Sequence, residues 1–184
     1  MNVERDHLSK VRKIEDHLFS LEAEGWFRYE FLTEKWFILL AFFLVPWIIW
    51  IFLKKRHLLT ESVLFGVLVM FITLLVDTVG LQFQFWEYPI EFLPVIPRGL
   101  PFDVCMVPAP YMLMYQYFRT WNSFIKALLV MAACFAFIGE PFSIWLNLVH
   151  YINWHYFYSF VYYIVLGISI RFLIIKIRRY ESLK

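Results

Sequence analysis

Long apolar runs, separated by short charged or proline-rich segments, dominate the chain from residue 36 onward. A helix that crosses a membrane needs about 20 mostly apolar residues, and several of these runs approach or reach that length. The pattern therefore predicts an all-α fold, a polytopic transmembrane helical bundle that occupies residues 36–184. The expected spans are five, at about 36–53, 62–84, 102–118, 124–146 and 156–175.

Residues 1–35 have a different pattern, in which apolar positions alternate with acids and bases. Val11, Ile14, Leu18 and Leu21 recur at intervals of three and four residues, as they do on one face of a helix. The segment is predicted to be an amphipathic N-terminal helix. We expect it to lie on the membrane surface or to pack on a partner.

Composition supports a membrane environment. Apolar residues make up 61% of the 184 residues and charged residues only 17%, whereas a soluble domain is nearer half apolar and a quarter charged. The surplus is expected to face a lipid bilayer. The net charge of +2 is too small to indicate nucleic acid as a partner.

The distribution of Lys and Arg predicts an orientation in the cell membrane. Basic residues follow the first, third and fifth spans, whereas the second connection holds only Arg98 and the fourth holds none. Cytoplasmic loops carry the excess of Lys and Arg. We therefore expect the N-terminus outside and the C-terminus in the cytoplasm.

Two spans carry a small and polar stripe on one face, and polar residues within a membrane need partners there. On the second span the stripe consists of Gly66, Met70, Thr73, Asp77, Gly80 and Gln84. On the fourth span it consists of Ala133, Ala136, Glu140, Ser143, Asn147 and His150.

The carboxyl groups on these stripes are predicted to converge with a third. Asp77 and Glu140 each lie roughly 22–24 Å from the cytoplasmic ends of their helices at ~1.5 Å per residue. Asp103 enters from the same outer side at the start of the third span. Ionisable groups at membrane depth commonly line cavities. The alternative is that these acids are structural ties between helices.

The candidate ligand- or ion-binding residues are therefore Asp77, Asp103, Glu140, Gln84, Asn147 and His150. The connection between the second and third spans, residues 85–101, is the outer loop. Four of its residues are candidates for the mouth of the pocket: Glu87, Glu91, Trp86 and Tyr88. Pro141 leaves the carbonyl of Phe137 without its helical partner, so a local break is expected beside Glu140. No metal or cofactor site is predicted, because the chain has no HExxH, P-loop or histidine-box motif.

Three motifs carry a resemblance that covers the whole chain: FWEYPIEFLP, GLPFD and FIGEP. With these motifs, the charged N-terminal segment and about five spans, the chain resembles an uncharacterised family of small multipass membrane proteins from spore-forming Bacillus- and Clostridium-type bacteria. That family implies architecture and location, and no activity.

A second resemblance is local. Gly99-Leu100-Pro101-Phe102-Asp103, leading to Pro108, is similar to the entry of a span in lycopene-cyclase-type carotenoid enzymes. The resemblance implies membrane-embedded acids that protonate a polyene. Those enzymes usually have two adjacent acids at this point, whereas Asp103 lies between Phe102 and Val104.

Three functions therefore stay open. The first is an outward-facing, carboxylate-lined pocket that binds or passes a small ligand, ion or proton, or docks a partner. The second is an enzyme that uses acid–base chemistry on a lipid or isoprenoid, with no catalytic residue assigned. The third is a structural membrane component. A homo-oligomer or a membrane hetero-complex is expected as the working unit, because five spans make a thin transporter.

Overall fold

The computed structural model describes residues 2–94 and 97–181, and this part of the chain is a helical bundle. It is 80% helical and 2% strand, which confirms the predicted all-α class. Residues 1, 95, 96 and 182–184, which fall within the two predicted regions, lie outside the described residues.

The N-terminal segment forms one helix, α1, at Asn2–Gly25, followed by a π-helical turn at Trp26–Glu30. The predicted stripe is present, but the bundle does not cover it. Val11 is 37% exposed and Ile14 is 69% exposed. The helix is held at its C-terminal end, where Glu22 pairs with Arg98 of the outer loop.

Helix α2, at Glu34–Leu53, begins at a conventional cap. The side chain of Thr33 accepts a hydrogen bond from the Trp36 N–H, which satisfies one of the free donors of the first turn. Pro46 lies inside the helix. A 3₁₀ turn at Arg56–Leu58 then leads directly into helix α3.

Helix α3 occupies Leu59–Gln82, and its small and polar stripe faces the neighbouring helices. Gly66, Thr73, Asp77 and Gly80 are all buried. A Cβ on Gly66 would overlap the side chain of Met112, so the helix that carries Met112 depends on a glycine at this contact.

The third predicted span is shorter than the others and is built from two pieces. A π-helical turn at Phe102–Met106 precedes helix α4 at Pro108–Tyr117. Asp103 at its beginning lies beside Asp77, and Gln116 near its end hydrogen-bonds Ser62 at 2.6 Å. Because these partners are about four helical turns apart on α3, the segment runs antiparallel to α3 along most of its length.

The fourth span is also interrupted. Helix α5, at Trp121–Cys134, passes through a π-helical turn at Phe135–Gly139 into helix α6 at Glu140–Trp145. Helix α7, at Tyr156–Glu181, is continuous. Its Arg171 is 3% exposed and donates to the carbonyl of Phe118 at 2.8 Å, so the α4–α5 connection is held against α7.

Helices α3 and α4 pack on each other in the middle of the bundle, with α2 against α4 and α7 against α3 and α5. The largest apolar core lies toward the end of the bundle that carries Arg119 and Arg178. Its fully buried members include Phe65, Tyr111, Phe124 and Leu128.

Within residues 2–94 and 97–181, four helical segments are long and apolar enough to cross a membrane, judged by length and composition: Glu34–Leu53, Arg56–Gln82, Trp121–Trp145 and Tyr156–Tyr180. Large apolar side chains stay on their outer surfaces; Phe52 is 82% exposed and Phe172 is 62% exposed. An apolar surface of this extent is rare on a soluble monomer. The Phe102–Tyr117 region completes the five-segment bundle with a shorter helix.

Two connections at the opposite end of the bundle meet in a short antiparallel pair of strands. Strand β1 is Trp86–Glu87 and strand β2 is His150–Tyr151, with Trp86 opposite Tyr151. The backbone N–H groups of Ile152 and Asn153 also donate to the carbonyl of Phe85, at 2.9 and 3.0 Å. The pairing fixes the loop between α3 and α4 over the ends of α3 and α6.

Candidate carboxyl-lined pocket

A cavity of about 190 Å³ lies beneath the β1–β2 pair. It is bounded by α3, by α7 and by the π-helical turns at Phe102–Met106 and Phe135–Gly139. Its lining includes Asp77, Asp103 and Glu140. The structure therefore brings together the three carboxyl groups that the sequence placed at a common depth. About half of the lining residues are aromatic.

Asp77 is held by the loop between α3 and α4. Its side chain is buried, and its Oδ1 accepts hydrogen bonds from Nε1 of Trp86 at 2.8 Å and from the hydroxyl of Tyr88 at 2.7 Å. Its Oδ2 makes no hydrogen bond of standard geometry within the described part of the chain, although Asp103 and the backbone of Gly99 lie next to the carboxyl group. Two neutral donors thus fix Oδ1.

Asp103 lies against Asp77. The two side chains are within hydrogen-bonding reach of each other, and Asp103 is 4% exposed. The N–H of Asp103 donates to the carbonyl of Gly99 at 3.0 Å. Two adjoining buried carboxyl groups cannot both be charged at low cost, because like charges disfavour ionisation. The arrangement can therefore hold a proton or a positive charge between the two groups.

Glu140 forms a second, separate pole of the cavity. Its Oε1 accepts a hydrogen bond from the hydroxyl of Tyr163 at 3.0 Å, and Tyr151 and Ser159 lie close to its carboxyl group. Its Oε2 has no donor among the residues that the structure describes. The pocket thus has a carboxyl pair at one place and a single carboxyl at another.

Both acid-bearing segments are delivered by π-helical turns that lie next to prolines. Asp103 is the second residue of the turn before Pro108, and Glu140 follows the turn at Phe135–Gly139 and precedes Pro141. Proline removes one hydrogen bond of an α-helix, and a wider turn changes which face carries the next side chain. Such turns are frequent at functional sites. Where the sequence predicted a break, beside Glu140, the structure has this π-helical turn within one continuous helical segment, Trp121–Trp145.

The predicted mouth residues divide into two groups. Trp86 and Tyr88 line the cavity and hydrogen-bond to Asp77. Burial, followed by the nearby Asp77 carboxyl, raises the pKa of Tyr88 well above its usual value, so its hydroxyl stays a neutral donor. Glu87 instead faces outward, where it pairs with His150 at 2.8 Å.

Glu91 lies outside the cavity, in the contact between the loop and the N-terminal segment. It pairs with Arg98 at 3.2 Å, and its N–H donates to Glu30 at 2.6 Å. Trp26 donates to its carbonyl at 3.0 Å. Burial raises the pKa of Glu91 to about 7, against the opposing effect of Arg98.

The structure does not bring Gln84, Asn147 or His150 to the cavity. Helix α3 ends at Gln82 and α6 ends at Trp145, so the helical stripe stops before these residues. Gln84 and Asn147 are exposed turn residues with φ of 54° and 55°. His150 is exposed on β2.

Sequence reasoning missed the polar groups of α7 and β2 that serve the pocket. Tyr151, Ser159, Tyr162 and Tyr163 all line it. Tyr162 donates to the hydroxyl of Thr73 at 3.0 Å, one turn away from Asp77. The sequence signal that could have identified the tyrosines is their hydroxyl group, because a phenol hydroxyl needs a hydrogen-bond partner when it is buried in an apolar bundle.

The three carboxyl groups are not arranged as a metal ligand set. Within residues 2–94 and 97–181, no three His, Cys, Asp or Glu side chains come together as metal ligands. The cavity-lining residues in this part of the chain also include no Lys, Arg or His. The site is therefore acidic, aromatic and without an internal counter-charge.

Comparisons with protein-family models, with curated proteins and with solved structures gave no match to this chain.

Proposed function

We propose that this chain is a multipass protein of the cell membrane whose outward-facing pocket binds or passes a small polar ligand, an ion or a proton. The observation that carries the proposal is the meeting of Asp77, Asp103 and Glu140 in one cavity. Three acids on three helical segments are costly to bury for structure alone, because apolar side chains would pack there without desolvation.

The proposed orientation follows the distribution of basic residues. Glu61 at the start of α3 lies 3.7 Å from Arg119 and 3.5 Å from Arg178, so the ends that carry most of the Lys and Arg share one side of the bundle. We assign that side to the cytoplasm. The pocket and the loop above it then belong to the outer side, together with the N-terminus.

The proposed unit in the membrane is larger than one chain. The exposed apolar surface of the spans and the uncovered stripe of α1 offer contacts for a second copy or for another membrane protein. A pocket that only binds its ligand needs no second chain, whereas a path across the bilayer does.

Native mass spectrometry from a mild detergent tests the proposal. The wild type should retain a bound mass that the double variant Asp77→Asn/Glu140→Gln loses, because amides keep the size of the acids but not their charge. Glu87→Gln is the matched control, since Glu87 is a carboxylate on strand β1 that faces solvent. An empty wild type with the same mass and stability as the double variant would overturn the proposal and favour a structural role.

A second candidate function is acid–base catalysis on a lipid or isoprenoid. It is favoured by the contact between Asp77 and Asp103, because a carboxyl pair of this kind can present a proton to an apolar substrate. Incubation of the purified protein with membrane lipid extract separates the two candidates. An enzyme should convert a lipid and lose that activity in Asp103→Asn, whereas a binding protein should return the extract unchanged.

A further inference from the structure

The walls of the pocket are aromatic next to each carboxyl group. Trp86 and Tyr88 contact Asp77, and Phe102 stacks on Tyr88 with 6.0 Å between ring centroids. Beside Glu140, Tyr163 supplies another ring. Faces of such rings attract cations, more strongly where water is excluded.

The acids offer unpaired oxygens to whatever occupies this space. Asp77 and Asp103 are each 4% exposed, and within the described residues the Oδ2 atom of each has no donor of standard hydrogen-bond geometry besides the adjoining carboxyl group. A buried carboxylate oxygen without a donor is unfavourable, so an occupant with N–H donors and positive charge would be stabilised here.

An inorganic cation fits this lining poorly. Calcium takes six to eight oxygen ligands, whereas the polar oxygens are divided between two poles and no metal ligand set is present in the part of the chain described. An organic ammonium ion suits the same lining better. Its N–H groups can reach a carboxyl oxygen while its apolar body contacts the rings.

The size of the cavity limits that body. Its volume of about 190 Å³ lies below the range of roughly 300–1,000 Å³ for drug-sized ligands. An apolar cavity of about 150 Å³ is enough for benzene. The occupant is therefore about one ring or one short branched alkyl group, with a single ammonium group.

We propose that the pocket binds a small organic ammonium ion, with its nitrogen at the Asp77–Asp103 pair and its apolar body against the aromatic wall that includes Phe102. This inference rests on the proposed function and names the class of ligand for the same site.

Three probes of similar size and different charge test the proposal. Benzylammonium, benzyl alcohol and benzoate are each added to the wild-type protein in detergent, and the shift in Tm and the Kd are measured. Benzylammonium should raise the Tm at concentrations where benzyl alcohol and benzoate do not. Its Kd should weaken roughly tenfold or more in Asp103→Asn, because that variant loses a charged hydrogen-bond partner.

The aromatic wall has a test of its own. Phe102→Leu keeps an apolar side chain and removes the ring, so the Kd of benzylammonium should weaken roughly three- to thirtyfold. The matched control is Phe37→Leu, at a 52% exposed ring of α2 that is not part of the pocket lining. Equal weakening in both variants would contradict a role for the wall.

The possible failures are distinguishable. Equal stabilisation by benzylammonium and benzyl alcohol, or an inorganic ion as the bound mass, overturns the ammonium inference and leaves the pocket as a binding site. No shift with any probe, together with an empty wild-type protein in native mass spectrometry, overturns both.

Discussion

The hydroxyl of Tyr88 donates a 2.7 Å hydrogen bond to Oδ1 of Asp77. The contact joins the loop above the bundle to a residue that lies more than one turn inside α3. Because Trp86 donates to the same oxygen at 2.8 Å, the loop both covers the carboxyl group and orients it. The order of the loop and the geometry of the pocket are therefore coupled.

Tyr88→Phe should lower the free energy of unfolding by about 1–3 kcal/mol, because a buried carboxyl oxygen loses one of its two donors. Chemical denaturation in detergent measures the change. Tyr29→Phe is the control, since Tyr29 is 67% exposed. A loss of the same size in both variants would show that the Tyr88 hydroxyl contributes nothing specific.

Gly80→Ala should disturb the same contact from the helix side. A Cβ on Gly80 would overlap the six-membered ring of Trp86, and a rigid ring can give way only by moving its Nε1 away from Asp77. We expect a destabilisation of about 1–3 kcal/mol, visible as a lower Tm and as a change in tryptophan fluorescence.

Gly25→Ala serves as the matched control for that substitution. A Cβ on Gly25 would meet nothing within 4 Å, and its φ of −58° is helical. The control should be neutral or stabilising by up to about 1 kcal/mol. A Gly80→Ala protein as stable as the control would contradict the close packing of Trp86 on α3.

Stability should depend on pH through Glu91. Burial raises the pKa of Glu91 from 4.5 to about 7, so the folded state holds a proton that the unfolded chain releases at lower pH. Its contribution to stability is fully present below about pH 4.5 and is lost as the pH rises through about 7. Glu30, whose pKa is also raised by burial, acts in the same direction.

Glu91→Gln should flatten this profile. The Tm of the variant and of the wild type, measured in steps from about pH 4 to pH 8, gives the comparison. Glu24→Gln, which removes an exposed carboxylate of α1, is the control for the loss of an acidic side chain. Parallel profiles for the wild type and Glu91→Gln would show that other groups cause the pH dependence.

Gln116→Leu should destabilise the opposite end of the bundle. Gln116 is fully buried, accepts from the N–H of Lys55 at 2.6 Å and donates to Ser62 at 2.6 Å. Leucine would leave the Lys55 N–H without that acceptor, at a cost of about 1–3 kcal/mol. Gln82→Leu, at an exposed position, should cost much less, and equal losses would contradict this role of the amide.

The course of the spans was predictable because it depends on local properties. An apolar run of sufficient length is apolar in any arrangement, and its helical rise fixes the depth of each residue. This is why Asp77 and Glu140 could be placed at a common level, with Asp103 entering from the same side.

Periodicity misled where a helix ended. Gln84 and Asn147 continue the stripes of α3 and of the fourth span by spacing, but each lies two residues beyond the last helical residue, at a left-handed turn. A helix end is decided by which backbone groups find partners in the loop. At the end of α3 the N–H groups of residues 83–85 supply those partners, and at the end of α6 those of residues 146–148 do. The β1–β2 pairing joins residues more than sixty positions apart, and such a pairing has no local signal.

The sequence by itself predicted a membrane bundle with Asp77 and Glu140 at a similar depth and Asp103 entering from the same side, because hydropathy and helical rise are properties of each segment alone. Only the tertiary structure decided that Asp77 and Asp103 adjoin while Glu140 lies apart, that Tyr88 faces inward and Glu87 outward, and that α7 supplies the second aromatic wall. Those outcomes depend on how helices rotate and pack against one another, and packing is a relationship between segments that no single segment encodes.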